Sequence, residues 1–141
     1  MTDAVSGFGT LLQLGDGADP EVFTTIAEVK DITGPGLEAD TIEVTNHSSP
    51  GAWREYIAGL LDAGEVTFDV NYLPGDATHD ATTGLQANLL ARSVDSYRLT
   101  WPTADTVTFP AFVTGFETGA PVDDALSASV TLKVAGEPTF A

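Results

Sequence analysis

Two histidines stand beside residues that could complete a hydrolytic centre. His47 precedes Ser48, and His79 precedes Asp80. Histidine can take a proton from a serine, and a carboxylate can orient the imidazole, which makes both pairs candidates for nucleophilic catalysis. Both pairs lie in polar stretches of a chain rich in Ser, Thr and Asp, where such neighbours occur by chance. We therefore predict solvated loop histidines and no catalytic site.

The other motifs that carry cofactor or metal chemistry are incomplete. Gly7-Phe8-Gly9 begins like a dinucleotide-binding loop, but Leu12 occupies the third glycine position. The sequence has no glycine–lysine pair for a phosphate-binding loop and no cysteine for a thiolate zinc site. Asp16, Asp19 and Glu21 could hold a hard cation, but their spacing is not that of a calcium loop. We predict no cofactor, no metal and no enzyme, with an acidic β-barrel hydrolase as the weakest alternative.

The net charge restricts the partners of the chain. Five Lys and Arg against 21 Asp and Glu give a formal charge of −16 over 141 residues. Proteins that grip nucleic-acid phosphates need clustered Lys and Arg, so the charge excludes that class, and it also argues against docking on anionic membranes. No apolar run approaches the roughly 18 residues of a membrane span, and the N-terminus does not resemble a secretory signal. We expect synthesis in a cytoplasm.

Turn residues and alternating polarity predict an all-β sandwich or barrel of about six strands with one helix packed on it. The expected strands lie at 22–32, 41–45, 65–72, 96–101, 106–117 and 125–135. The expected helix follows Thr83, which has capping-box spacing to Gln86, and ends near Arg92. Residues 1–20 are glycine-rich and acidic, which predicts an arm ahead of a domain at 21–141.

Two of these strands alternate an apolar face with a small polar face. The polar faces are Glu65, Thr67, Asp69 and Asn71 on one strand, and Ser127, Ser129 and Thr131 on the other. An outer, solvated sheet face has the same appearance in sequence as a wet internal wall, so both positions stay open.

Apolar residues between Pro50 and Gly64 have helical spacing. They stand at i, i+3, i+4, i+7 and i+8, namely at Trp53, Tyr56, Ile57, Leu60 and Leu61. We predict a short core-facing helix or apolar loop, and the alternative is a protruding segment that docks on a neighbouring subunit.

Several stretches, in order, resemble the major tail tube protein of long-tailed bacteriophages. The resemblance covers about residues 23–140 and is carried by Phe23–Val29, Ile32–Gly36, Asp40–Thr45, Ser49–Leu60, Gly64–Phe68, Phe109–Phe116 and Ala120–Asp124. It implies a β-sandwich with a flanking helix. It also implies that six copies form a ring, that their inner strands join into one barrel around a channel, and that stacked rings conduct the genome through a virion tail.

The same resemblance implies roles for individual residues. The two polar faces become candidates for lining the channel, where acidic side chains would repel DNA phosphates. The stretch 48–62 matches a long loop that reaches the adjacent ring, so docking becomes the favoured role for Ser49, Trp53, Arg54, Tyr56 and Ile57. The arm is expected to contact a neighbour through Phe8, Leu11 and Leu12.

The partners implied by the resemblance are further copies of the chain and the tape measure, tail terminator and tail-tip proteins. DNA would pass through without specific binding, and no membrane partner is expected. The alternative function is a capsid-decoration or adhesin-like β-sandwich that binds a protein or a carbohydrate. The two hypotheses differ in oligomeric state, because only a ring former needs strand edges that pair with a neighbour.

Overall fold

The computed structural model describes residues 3–15 and 22–141, and within these residues it has ten strands and one α-helix. The strands are β1 (Leu11–Gly15), β2 (Phe23–Thr25), β3 (Val29–Thr33), β4 (Glu38–Glu43), β5 (Tyr56–Asp62), β6 (Glu65–Asn71), β7 (Asp95–Thr100), β8 (Thr106–Gly119), β9 (Ser127–Val134) and β10 (Thr139–Phe140). The helix α1 spans Leu85–Ala91, and Pro50–Ala52 form a 3₁₀ turn.

Eight strands form one antiparallel sheet in the order β2-β1-β7-β8-β9-β6-β3, with β10 paired to the start of β8. The 14-residue strand β8 belongs to both halves of this sheet. Its residues 106–111 pair with β7 on one edge, and its residues 111–119 pair with β9 on the other. A register shift between Val113 and Gly115 lies in the second half of β8, and such irregularities bend a strand.

One face of the sheet forms the core. Alternate residues of β6, β8 and β9 are buried, as a period of two requires. Tyr97 and Phe109 stack with ring centroids 6.2 Å apart, and burial raises the pKa of Tyr97 to about 12. Leu85 of α1 is also fully buried, so the helix packs on the sheet as predicted. The all-β fold class with one flanking helix is confirmed.

The predicted strands at 65–72, 96–101, 106–117 and 125–135 correspond to β6, β7, β8 and β9 with ends shifted by two residues or fewer. The predicted strand at 22–32 is instead two strands, β2 and β3, because Glu28 between them has a positive φ of 56°. The expected strand at 41–45 begins three residues earlier, as β4.

The helix forms where predicted, but its N-terminus is not held by the predicted capping box. Gly84 is the N-cap and makes no side-chain cap. The Thr83 hydroxyl donates to the Ala77 carbonyl at 3.0 Å. Asp80 Oδ1 accepts the backbone N–H groups of the three residues before the helix, Thr82, Thr83 and Gly84. These bonds, led by the one from Thr83, hold the pKa of Asp80 below its ordinary value.

The prediction of a core-facing helix around Tyr56 is wrong. Strands β4 and β5 form a separate two-stranded antiparallel sheet, here called the hairpin, whose residues are nearly all exposed. Gly59 disfavours a helix, and pairing with β4 satisfies the backbone of this segment without any need to bury one face. The helical spacing of its apolar residues therefore has no structural counterpart.

The predicted N-terminal arm is corrected at Leu12. This side chain is fully buried, and Leu11 to Leu14 pair with β7 in the main sheet. The apolar side chain of Leu12 points from β1 into the core, so it is unavailable to a neighbouring subunit. Phe8 and Leu11 remain exposed, Phe8 by 93%. The predicted boundary at residue 20 and the weighed cation loop of Asp16, Asp19 and Glu21 lie outside the described residues.

Leu12→Ala tests whether β1 is a core strand. We expect the free energy of unfolding to fall by about 2–5 kcal/mol, the usual cost of this truncation in a packed core. The matched control is Leu11→Ala, whose side chain is exposed and should change stability by less than about 0.5 kcal/mol. Urea denaturation of both variants measures the difference, and equal small effects would contradict the placement of Leu12.

Candidate assembly surfaces

The two polar faces predicted from sequence form one continuous surface on the side of the sheet away from the core. Strands β6 and β9 are paired so that Asp69 lies opposite Ser129, and the Ser129 hydroxyl donates to Asp69 Oδ1 at 2.8 Å. The other facing pairs are Glu65 with Lys133, Thr67 with Thr131, and Asn71 with Ser127. All seven candidate residues therefore lie side by side.

A third strand extends this surface with a carboxylate that the sequence did not single out. Glu117 of β8 lies opposite Ser129, which makes a row of Glu117, Ser129 and Asp69 across three strands. The alternation along β8 changes at the register shift near Gly115, so the face of Glu117 could not be counted from the buried residues before it. We call the outward residues of β6, β9 and the second half of β8 the polar face.

The polar face is acidic and almost free of cations. It has three carboxylates, on Glu65, Asp69 and Glu117, and one ammonium, on Lys133. Lys133 Nζ lies 3.5 Å from Asp62 Oδ2, so a carboxylate at the edge of the face already neutralises this ammonium. Apart from Phe112, which lies opposite Lys133 on β8, the surface presents negative charge and small hydroxyl and amide groups.

Two strand edges beside the polar face carry no pairing within the described chain. β3 pairs only with β6. On β8, the partner β7 ends at Ala111, so residues 112–119 pair on one side only. Unpaired N–H and C=O groups at a sheet edge are templates for another strand, which makes both edges candidate interfaces.

The hairpin is the other unpartnered surface. Its exposed apolar side chains include Trp53, Leu60 and Leu61, which are 78–82% accessible. The remaining exposed apolar residues of the segment are Leu37, Ile42, Val44, Tyr56 and Ile57. Large apolar groups exposed together on one segment are typical of interaction sites in folded proteins.

Hydrogen bonds within the loop between β4 and β5 fix the hairpin tip. The Ser49 hydroxyl accepts the Asn46 N–H at 3.0 Å and donates to Glu55 Oε2 at 2.7 Å. Gly51 has a φ of 63°, and a Cβ there would lie 2.9 Å from Trp53 Cδ1, so glycine allows the chain to turn under the indole. Ser49 thus supports the loop, while Trp53 and Arg54 are presented outward.

The hairpin base is tied to the polar face. Asp62 Oδ1 accepts the Gly64 N–H at 2.8 Å, and Asp62 also pairs with Lys133 of β9. The Gly64 hydrogen bond and then the Lys133 charge hold the pKa of Asp62 below its ordinary value of 3.8. Gly64 has a φ of 69°, and a Cβ there would lie 2.7 Å from the Gly36 carbonyl oxygen, so the two strands enter the hairpin in close contact.

The two histidines of the chain lie in different environments. His47 is exposed, as predicted, but His79 is fully buried and the prediction of a solvated loop residue is wrong for it. Nδ1 of His79 accepts the Leu73 N–H at 3.1 Å, so Nε2 carries the proton and donates to the Ala27 carbonyl at 2.7 Å. Both ring nitrogens join backbone segments, which leaves neither for proton transfer.

The part of the chain that the structure describes offers neither a metal cluster nor a membrane-spanning helix. No group of three or more His, Asp or Glu side chains there is placed to hold a metal ion. None of the helices in that part has the length and apolar character needed to cross a membrane.

The sequence matches the lambda phage tail tube protein family over residues 10–141. The chain belongs to this tail tube protein family. The comparison with curated proteins found no match.

Solved structures share the tail tube fold. A chain of the native gene transfer agent virion superposes with a TM-score of 0.78 at 20% identity, covering 98% of this chain and 99% of the other. The tail of the empty gene transfer agent particle was solved with C6 symmetry. Its chain superposes with a TM-score of 0.78 at 23% identity, covering 98% of this chain and 99% of the other. The SPP1 tail tube superposes with a TM-score of 0.65 at 14% identity, covering 93% of this chain and 74% of the other. The tail tube protein is a structural component of a virion tail.

Asp62→Asn tests the ionic tie between the hairpin base and the polar face of this tail tube protein. Because folding lowers the pKa of Asp62, the stabilisation by its charge is present above pH 3.8 and is lost as pH falls through the lower folded-state value. We expect the variant to melt at a slightly lower temperature at pH 7 and the difference to vanish in acid. Thermal melts between pH 7 and pH 2 measure it.

Lys133→Met is the matched control for this pair. In the Lys133→Met background, Asp62→Asn should lower the melting temperature less, because the attraction is already gone. A melting difference that grows in acid would contradict the assignment.

Proposed function

We propose that six copies of the chain close into a ring with the polar face turned toward a central channel. The number six is taken from the C6 symmetry of a tail with the same fold. The observation that carries the proposal is the pair of unpaired strand edges, on β3 and on residues 112–119 of β8, at the two sides of the polar face.

Strand directions allow these edges to pair between copies. Going from β3 through β6 and β9 to β8, each strand is antiparallel to the next. The second half of β8 therefore runs antiparallel to β3, and a neighbouring β3 placed beside it continues the alternation. Four strands from each of six chains would close an antiparallel barrel without an edge, which removes the aggregation liability of both edges.

The acidic polar face suits a channel that conducts DNA. Each copy contributes Glu65, Asp69 and Glu117 to the wall, and Lys133, the one cation on the outward side of β6, β9 and the second half of β8, is paired with Asp62. Proteins that hold DNA neutralise its phosphates with cations, so a wall of this composition would let the duplex slide. Thr67, Asn71, Ser127, Ser129 and Thr131 would keep the channel wet.

The hairpin and the exposed arm would contact other copies. Stacking of rings is assigned to the hairpin, in which Trp53, Arg54, Tyr56 and Ile57 are exposed and aromatic and Arg side chains are typical interface anchors. Phe8 lies with residues 7–10 along a groove of about 470 Å³ beside the free edge of β3. A neighbouring β8 that pairs with β3 would therefore meet Phe8.

The further partners of the assembled tube are a tape measure protein inside it, a terminator at one end and a tip complex at the other. The proposed role is structural throughout, without an enzymatic activity, a cofactor or a membrane partner. The double use of the His79 ring nitrogens in backbone hydrogen bonds supports the non-enzymatic role.

Cysteine cross-linking tests ring closure, because the natural chain has no cysteine. Asp31→Cys on β3 is combined, in separate variants, with Thr114→Cys, Glu117→Cys or Thr118→Cys on β8. We expect at least one pair to give a disulfide ladder that ends at six chains, since adjacent strands bring Cα atoms to within about 4.4–6.8 Å at matching positions. Non-reducing electrophoresis of assembled protein measures it.

The matched control combines Thr118→Cys with Thr24→Cys on β2, the edge at the other end of the main sheet. This pair should stay uncross-linked. Cross-linking through Thr24, or none through Asp31 in assembled protein, would contradict the proposed ring.

Trp53→Ala tests the assignment of the hairpin to ring stacking. Because Trp53 is 78% exposed in the single chain, its loss should leave the fold and ring formation intact. We expect rings without long tubes in electron micrographs, since interface tryptophans commonly contribute about 2 kcal/mol or more. Leu90→Ala, an exposed apolar residue of α1, should form normal tubes, and tubes of normal length from Trp53→Ala would refute the assignment.

A further inference from the structure

An open apolar groove of about 900 Å³ lies where the hairpin base meets the C-terminal strand β10. Its apolar lining comes from the hairpin base, from the end of β9 and from the segment that leads into β10, and includes Leu37, Leu61, Val134, Pro138 and Phe140. Pockets of about 300–1,000 Å³ bind ligands of drug size. This groove therefore has room for an aromatic side chain and the residues next to it.

Three carboxylates line the same groove, on Glu38, Asp62 and Glu137. Asp62 is engaged by Lys133, whereas neither Glu38 nor Glu137 pairs with a cation among the described residues. The groove thus combines an apolar surface with two unpaired negative charges. A complementary ligand would carry a large apolar group next to a cation.

The hairpin tip carries that combination. Trp53 is largely exposed, and the next residue, Arg54, is the sole cation between positions 38 and 62. Arg54 lies 3.9 Å from Glu43, and both side chains are at least half exposed, so this contact is weak and exchangeable. The hydrogen bonds around Ser49 fix the tip before any partner binds, which lowers the entropy cost of docking.

We propose that the Trp53–Arg54 tip of one copy docks in this groove of a second copy in the adjacent ring. The indole fills the apolar part, and the guanidinium pairs with Glu38 and Glu137. The inference rests on the proposed stacking of rings and adds the acceptor site for the hairpin.

The placement of tip and groove sets the direction of stacking. Glu38 lines the groove and Glu43 ends β4 near the tip, five residues further, or about 17 Å at 3.3 Å per residue. The tip that docks and the groove that receives it are therefore different surfaces at opposite ends of the same hairpin. Contacts between unlike surfaces repeat head to tail and build an open, polar filament.

Charge reversal tests the pairing of Arg54 with the groove. Arg54→Glu should reduce the tube length seen by electron microscopy about tenfold or more while rings still form, because it adds like charge to an acidic groove. Combining it with Glu38→Arg and Glu137→Arg should restore the length. The matched control, Arg92→Glu beyond the end of α1, should form tubes of normal length. Rings that stack normally with Arg54→Glu, or no recovery in the combined variant, would overturn the proposal.

Photo-cross-linking locates the acceptor site directly. A benzoylphenylalanine placed at position 53 of the otherwise natural chain keeps an aromatic group there. In tubes longer than six rings, we expect cross-linked peptides from residues 37–39, 61–63 or 134–140 of another chain. We also expect a ladder that continues beyond six chains.

The position of the cross-links and the length of the ladder of cross-linked chains distinguish this proposal from the proposed function. Cross-links outside the groove, or a ladder that ends at six, would overturn the docking proposal while leaving rings and tubes in place. A chain that forms neither rings nor tubes would overturn both.

Discussion

The need to pair backbone hydrogen-bonding groups determines how this molecule can be used. Strand β8 is long enough to join both halves of the sheet. Its first half pairs with β7 along one edge, and its second half pairs with β9 along the opposite edge. Among residues 3–15 and 22–141, the segment 112–119 consequently keeps one unpaired edge, and β3 keeps another at the far side of the same polar face. A single chain leaves these edges open, whereas a ring of chains can satisfy them. The proposed ring would therefore meet a requirement of the backbone itself.

Charge opposes this assembly, so the location of the charge matters. Each chain has a formal charge of −16, and copies brought together repel one another. Strand pairing and apolar contacts must exceed that repulsion. The exposed apolar side chains of the hairpin are large enough to contribute to the attraction between copies. On the polar face, Asp62 pairs with Lys133 and so offsets the one cation there that would attract phosphate. Thus the same acidity that disfavours DNA binding is compatible with a channel that encloses DNA.

The sequence predicted those parts of the fold in which periodicity has a single interpretation. Alternation in β6 and β9 identified both the buried and the polar residues, and the pairing of Asp69 with Ser129 joined two sets that had been recognised separately. Glu117 was missed because the register shift near Gly115 breaks the alternation.

The predicted helix around Tyr56 was wrong because the apolar residues of an exposed strand need not follow the spacing of any one face. Leu12 and His79 were misplaced because each is buried by distant segments, β7 for Leu12 and the backbone at Ala27 for His79.

A cryo-electron microscopy reconstruction of the assembled tube would test the central claim most directly, through the position of β6 in each subunit. The account predicts that Asp69 and Thr67 face the channel and that β3 of one subunit pairs with residues 112–119 of β8 in the next. A tube in which Asp69 faces outward, or in which β3 and β8 remain unpaired between subunits, would contradict it.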